Sequence, residues 1–134
     1  MITRFLLFGV IGWCLEILWT GFVSLFRGDF SMTSKTSVWM FFIYGCGALF
    51  LPVVNAVARY PLLVRGSVYV FFIFLIEFIF GYIMRRFDVC PWDYSSAKLN
   101  VMGIIRLDYA PLWFGVGLLF EYTHARLDNI NIPL

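Results

Sequence analysis

Four apolar runs divide the chain, each close to the roughly twenty residues a helix needs to cross a bilayer. The first runs from Phe5 to Phe26 with one charge, Glu16, and stops at Arg27-Gly28-Asp29. The second, Val38 to Ala58, has no charge and stops before Arg59 and Pro61. The third, Gly66 to Met84, holds only Glu77 and stops at Arg85-Arg86. The fourth, Tyr109 to Ala125, is the shortest; Pro111 sits in its first turn, where proline is tolerated, and Glu121 near its end. None of the runs alternates with the period of two that a membrane barrel requires. The expected architecture is therefore an all-α integral membrane protein. It is a four-helix transmembrane bundle in one domain over residues 1–134, with spans near 5–26, 38–58, 66–84 and 109–125.

Two connections are short, and the third, Arg85 to Asp108, carries most of the polar residues. The first run is longer than a signal-peptide core and no small-x-small cleavage site closes it, so it reads as a retained helix. Tyr44-Gly45-Cys46-Gly47-Ala48-Leu49-Phe50 echoes Phe114-Gly115-Val116-Gly117-Leu118-Leu119-Phe120. Each stretch follows a run with one glutamate, which suggests two repeated helical hairpins of like orientation.

Composition agrees with the pattern. The hydrophobic fraction is 62%, the charged fraction 13% and the mean hydropathy +0.88. A soluble domain carries about a quarter charged residues, so the apolar excess must face lipid. The net charge of +2 gives no reason to expect nucleic acid. Arg4, Arg59, Arg65 and Arg126 fall on one side of the expected bundle. Arg27, Lys35, Arg85, Arg86, Lys98 and Arg106 fall on the other, a small bias toward both termini outside. Cys14, Cys46 and Cys90 form no Cys-x-x-Cys pair, and His124 is the only histidine. No metal, cofactor or catalytic site is expected: Asp93, Ser95 and Glu121 assemble no nucleophile and base, and no phosphate-binding motif is present.

The chemistry that remains is intramembrane. Charge at the centre of a span costs roughly 2.5 to 3.5 kcal/mol, so such residues usually face protein or water. Glu16, Glu77 and Glu121 each stand four residues from a glycine: Gly12, Gly81 and Gly117. Residues four apart share a helix face, and small residues mark the faces where membrane helices pack. Glu16, Glu77, Glu121 and Asn55 are therefore the candidate polar site, with Tyr44, Tyr69 and Tyr82 as potential partners. Pro52 frees a backbone carbonyl within the second run and predicts a kink. Cys90-Pro91-Trp92-Asp93-Tyr94-Ser95 is the densest polar-aromatic cluster. It suits either a turn at headgroup level or a lid over the polar site, with Asn100, Arg106 and Asp108 contributing.

Thr36-Ser37-Val38-Trp39, Phe42-Ile43-Tyr44-Gly45, the Cys90 to Ser95 cluster, Met102-Gly103 and Leu107-Asp108-Tyr109-Ala110 together resemble the transmembrane protein 229 group. That group lies within the ABC-transporter, CmpB-type membrane-protein family. The resemblance runs from Gly12-Trp13-Cys14-Leu15-Glu16 to Glu121. It matches Glu77 with Gly81, Trp92, Asp93, Tyr94 and Ser95, and Gly103 to the family pattern. The wider family often carries a Gly-Pro and Cys-Pro stretch before the Tyr-Gly pair, which Ser31 to Phe42 lacks. The resemblance implies a small multi-pass membrane protein and no particular reaction. Without a nucleotide-binding motif, the chain would serve an ATPase only as its membrane partner. The expected partners are the lipid bilayer, with a second copy or another membrane subunit.

Two functional readings follow. One is a transporter, channel or permease component with a glutamate-lined cavity between the hairpins. The other is a structural or regulatory membrane protein whose polar residues only tie helices together.

Overall fold

A membrane-embedded backbone must satisfy its own hydrogen bonds, and the helix does so within one segment. In the computed structural model, which describes residues 1–130, the apolar runs are helical. Helix α1 is Ile2–Phe26, α2 Val38–Gly45, α3 Leu51–Val57, α4 Leu62–Arg86 and α5 Ala110–Asn129. A short hairpin, β1 Asn100–Val101 with β2 Ile105–Arg106, lies between α4 and α5.

The second run is interrupted at its middle. Between α2 and α3 the chain tightens into a 3-10 turn, Cys46–Phe50, just before Pro52 in the first turn of α3. Pro52 has no N–H for the carbonyl four residues earlier, and its ring crowds that carbonyl. The expected kink is thus a change of helix type. Among the described residues, three helical stretches are long and apolar enough to cross a membrane: Ile2–Phe26, Val38–Val57 and Leu62–Arg86. Helix α5 has the length, but Glu121, His124, Arg126 and Asp128 make its second half polar.

The chain divides into two compact units, Met1–Leu49 and Phe50–Ile130 among the described residues, and the boundary falls inside the 3-10 turn. In the first unit α1 and α2 pack antiparallel. A Cβ on Gly12 would stand 2.0 Å from the Tyr44 ring, and one on Gly9 2.7 Å from Phe41. Such contacts let the two backbones approach closely. The start of α2 stands level with Trp13, whose indole N–H donates to the Ser37 carbonyl at 2.9 Å. Residues 14–26 of α1 therefore run past α2, and the non-helical return segment, residues 27–37, flanks them. The Ser34 hydroxyl donates to the Ile17 carbonyl at 2.8 Å, and the Lys35 amide donates to Thr20 Oγ1 at 3.1 Å.

The second unit repeats this plan with a longer return. Its core is Phe50, Val54 and Tyr69, with Phe72, Ile76 and Leu118 packed around it. Arg65 meets Glu121, and a Cβ on Gly117 would stand 2.4 Å from Tyr69. That antiparallel register puts Ala110, the first residue of α5, opposite about Ile76. Residues 77–86 of α4, about 15 Å of helix at 1.5 Å per residue, have no α5 beside them. The return segment, residues 87–109, fills that space. A Cβ on Gly81 would meet Ile104 at 2.4 Å and the Trp92 ring at 3.1 Å.

Candidate functional site

The return segment of the second unit is a locally built structure. Helix α4 ends with Asp88 in the left-handed region (φ 54°) and the Val89 amide donating to the Met84 carbonyl. Asp93 then folds a turn on itself: its Oδ1 accepts from the Ser95 amide at 3.0 Å and the Ser95 hydroxyl at 2.6 Å. Those two bonds, with Arg85 at 2.7 Å, hold the Asp93 carboxyl below the usual carboxylate range. Arg85 also donates to the carbonyls of Met102 and Gly103, so one guanidinium ties the Asp93 turn and the hairpin turn to α4.

The hairpin turn needs two consecutive left-handed residues, Met102 at φ 55° and Gly103 at φ 66°. Asn100 stabilises it by accepting from the Gly103 amide at 2.8 Å and donating to the Ala97 carbonyl at 2.6 Å. Trp92 lays its indole across the hairpin and donates to the Ile104 carbonyl at 2.9 Å. Arg106 grips Asp108 through two nitrogens and stacks 4.5 Å from the Tyr109 ring centroid. This pairing raises the Arg106 pKa and lowers that of Asp108. The Tyr109 ring meets Tyr94 edge-on at 5.8 Å.

Tyr94, held in this way, points its hydroxyl at Glu77. Its side chain is a hydrogen-bond partner of the Glu77 carboxyl, and the Trp113 indole from α5 faces the same group. Glu77 and Trp113 are each 9% exposed. The indole lies within hydrogen-bonding reach of the carboxyl but is poorly aligned, and Glu77 Oε2 and Trp113 Nε1 are both buried without a well-formed hydrogen bond. A carboxyl from α4, an indole from α5 and a phenol from the return segment thus converge on one point.

The other expected residues lie elsewhere. Glu121 accepts from Arg65 Nε at 3.1 Å and from the Tyr69 hydroxyl at 2.7 Å, and Tyr69 is fully buried. Tyr69 and Glu77 are eight residues apart on α4, about 12 Å at the helical rise, so Glu121 and Glu77 occupy separate places in one unit. Glu16 belongs to the first unit, where the Thr36 hydroxyl donates to its Oε2 at 2.8 Å. Asn55 is exposed on α3. Of the loop cluster, Trp92, Asp93, Tyr94, Ser95 and Gly103 are gathered into the return segment, and only Tyr94 reaches a glutamate.

The family described as "Putative ABC-transporter type IV" matches residues 3–132, nearly the whole chain. The chain belongs to that CmpB family. Membership and three span-length apolar helices together place this CmpB-family protein in a membrane. No solved structure matches it. Two participants in its sites, Trp113 and Arg85, were not singled out by local sequence pattern. Trp113 lies far from Glu77 in the chain and shares no motif with it. Arg85 reads as an interfacial stop charge. Tyr69 was named as a potential partner and Tyr94 as part of the loop cluster, but neither was assigned to a particular glutamate.

Proposed function

We propose that this CmpB-family chain is a small multi-pass transporter or permease component of the transmembrane protein 229 type. In this reading α5 is a fourth span and both termini lie on one side. The polar site is centred on Glu77, with Tyr94 and Trp113 around it, and Glu16 and Glu121 form outlying polar positions. The observation that carries this reading is the buried Glu77 carboxyl, the single charge-bearing residue between Gly66 and Met84 of α4. A charge-bearing residue at membrane depth is costly and tends to be kept for ions, protons or polar cargo. The chain has no nucleotide-binding motif, so an energised version would work beside a separate ATPase, as a homo-oligomer or with another membrane subunit. It acts without an enzymatic reaction or cofactor of its own.

The arrangement around Glu121 favours a second reading for that end of the second unit. Glu121, Arg65 and Tyr69 satisfy one another, as a tie between helices would. The structural or regulatory alternative extends this role to every polar residue.

Two variants separate the readings. Glu77→Gln is nearly isosteric and keeps hydrogen-bonding capacity. In a transporter it leaves thermal stability in detergent close to wild type and abolishes proton or cation flux in proteoliposomes. In a structural protein Gln is silent, and Glu77→Leu lowers stability by roughly 1 to 2 kcal/mol, the scale of interhelical polar contacts. Wild-type flux and stability in both variants would refute the site.

A further inference from the structure

Glu77 is walled off from the two ends of α4 in different ways. It stands eight residues from Arg85, about 12 Å along the helix axis, and twelve from Arg65, about 18 Å. Toward Arg65 the space beside α4 is apolar and packed. Phe50, Val54 and Tyr69 form its centre, with Phe72, Ile76 and Leu118 around them. Helices α3, α4 and α5 all contribute to this layer, and Tyr69 within it is fully buried. A close-packed interior of this kind offers no path for a polar species.

Toward Arg85 the space is filled by the return segment. Its inner side meets α4 through Ile104 and Trp92 on Gly81 and through Tyr94 at Glu77. Its outer side exposes Asp93, Ser95, Ser96 and Lys98. Non-helical backbone at membrane depth is tolerated only against protein or water, and these polar side chains suit water. An open hollow of about 390 Å³, lined by Arg85, Asp88, Cys90, Trp92 and Asp93, reaches the same Trp92 that packs on Gly81. The segment is held as one body: the Tyr94 amide donates to the Gly103 carbonyl at 2.8 Å, and the Trp92 indole to the Ile104 carbonyl at 2.9 Å. Arg85 ties that body to α4 through Asp93 and the Met102 and Gly103 carbonyls. The Arg85 and Asp93 side chains are 33% and 68% exposed, so their ion pair is solvated and weak.

We propose that Glu77 communicates with one membrane face only, that of Arg85 and Arg86, by parting of the return segment from α4, with the Arg85–Asp93 pair as the latch. The segment is then a one-sided lid, and the apolar layer around Tyr69 is the fixed barrier on the other side. This inference rests on the reading of Glu77 as the polar site, and it gives that site a side. Access is measured without flux, so the two fail separately. One-sided access without flux would refute transport alone, and flux with equal access from both faces would refute the lid alone.

The test is carboxyl labelling of the full chain in sealed proteoliposomes, sorted by an N-terminal tag into those that display the tag and those that enclose it. The probe is a carbodiimide bearing a quaternary ammonium, which does not cross a bilayer, with an amine nucleophile and peptide mass spectrometry as the readout. Asp88, exposed at the Arg85 end, identifies the population in which that face is outside. Glu77 should label there through local opening, and about tenfold less or lower still in the other population. Asp93→Asn keeps an acceptor for Ser95 and removes the charge that Arg85 holds. It should raise the Glu77 rate several-fold from the Asp88 face and leave the Asp88 rate unchanged. Trp92 fluorescence as in the wild type reports that the hairpin remains folded; if it does not, the wild-type comparison of the two populations decides alone. Equal labelling from both faces, faster labelling from the opposite face, or no labelling of Glu77 from either face would overturn the proposal. A folded Asp93→Asn variant with the wild-type Glu77 rate would remove the latch from it.

Discussion

The two units solve one problem at two scales. In each, one long helix, α1 or α4, outruns the helix that packs against it, and a non-helical segment returns along its last turns. A glutamate stands near the level where the second helix begins: Glu16 in α1, Glu77 in α4. In each, a hydroxyl from the returning segment reaches that glutamate, from Thr36 in the first unit and Tyr94 in the second. A glycine further along the same helix receives the returning chain: Gly21 beneath Ser34, Gly81 beneath Ile104 and Trp92. The difference is in length. Residues 27–37 make a turn followed by a short non-helical strip that leaves Glu16 half-exposed, whereas residues 87–109 build a hairpin that seals Glu77. What surrounds a carboxyl in a membrane is thus set by the loop that covers it as much as by its own helix. Gly12 packs on Tyr44, and Gly66 packs on Phe114, with a Cβ clearance of 2.0 Å in both cases.

The largest expected contrast lies in the glycines of the two return segments. Gly103 has φ 66°, and a Cβ there would stand 2.4 Å from Ser95 Oγ and 3.0 Å from the Arg85 guanidinium. Gly103→Val should therefore cost about 3 kcal/mol, from left-handed strain and forced displacement together, and uncover Glu77. Gly28 also has positive φ, 92°, but nothing lies within 4 Å of a Cβ there. Gly28→Ala should cost only about 1 kcal/mol, the left-handed backbone penalty alone. Thermal unfolding in detergent reads both. Equal losses would mean that the second return segment is no more built than the first.

An intermediate contrast concerns access to the two glutamates. Glu16 is half-exposed, with Thr36 beside it at the surface, and Glu77 is sealed. A water-soluble carbodiimide with an amine nucleophile should label Glu16 faster than Glu77, on the order of tenfold, because Glu77 reacts only through local opening. Mass spectrometry of the labelled peptides gives the ratio. Gly103→Val should bring the two rates together. If Glu77 labels as fast as Glu16 in the wild type, the hairpin is not a seal.

How much of this was legible in the sequence depends on the range of the interaction. The helices were readable because apolar periodicity and length are local: the first, third and fourth expected spans each lie within or close to one helix, and the second is split by the 3-10 turn. The 3-10 turn before Pro52 was readable as a break because proline's missing N–H acts on its own turn. The glycine faces were readable because four-residue spacing is fixed by helix geometry. The partners of Glu77 were not. Tyr94 reaches it only after Asp93, Asn100 and Arg85 have folded the return segment, and Trp113 arrives from the next helix. The sealing of Glu77 depends on a hairpin whose signal, Met102-Gly103 after Asn100, reads as a turn without saying which helix it covers. The polarity of α5 was also in plain view: Glu121, Arg126 and Asp128 set it below the apolarity of the other three.

The smallest expected contrast is electrostatic and lies outside the spans. Each return segment is knotted by an aspartate. Asp29 accepts from Ser31, whose hydroxyl sits very close, and from Ser24 and Thr33. Asp93 accepts from Ser95 and Arg85. Both carboxyls are held below their ordinary value of 3.8, with the Asp29 shift the larger. A depressed folded-state pKa means that the turn's stabilisation is complete above the unfolded value and is lost as pH falls through the lower folded value. Neither knot should change between pH 7 and 5. Below pH 4 the Asp93 knot should loosen first and the Asp29 knot later. Carboxyl 13C shifts followed by NMR from pH 6 downward should therefore give an Asp93 midpoint below 3.8 and an Asp29 midpoint lower still. An Asp29 midpoint at or above 3.8 would mean that the Ser24, Ser31 and Thr33 bonds are not held in solution. The same result at Asp93 would mean that its bonds from Ser95 and Arg85 are not held in solution, leaving Arg85 only its Met102 and Gly103 carbonyls in the return segment.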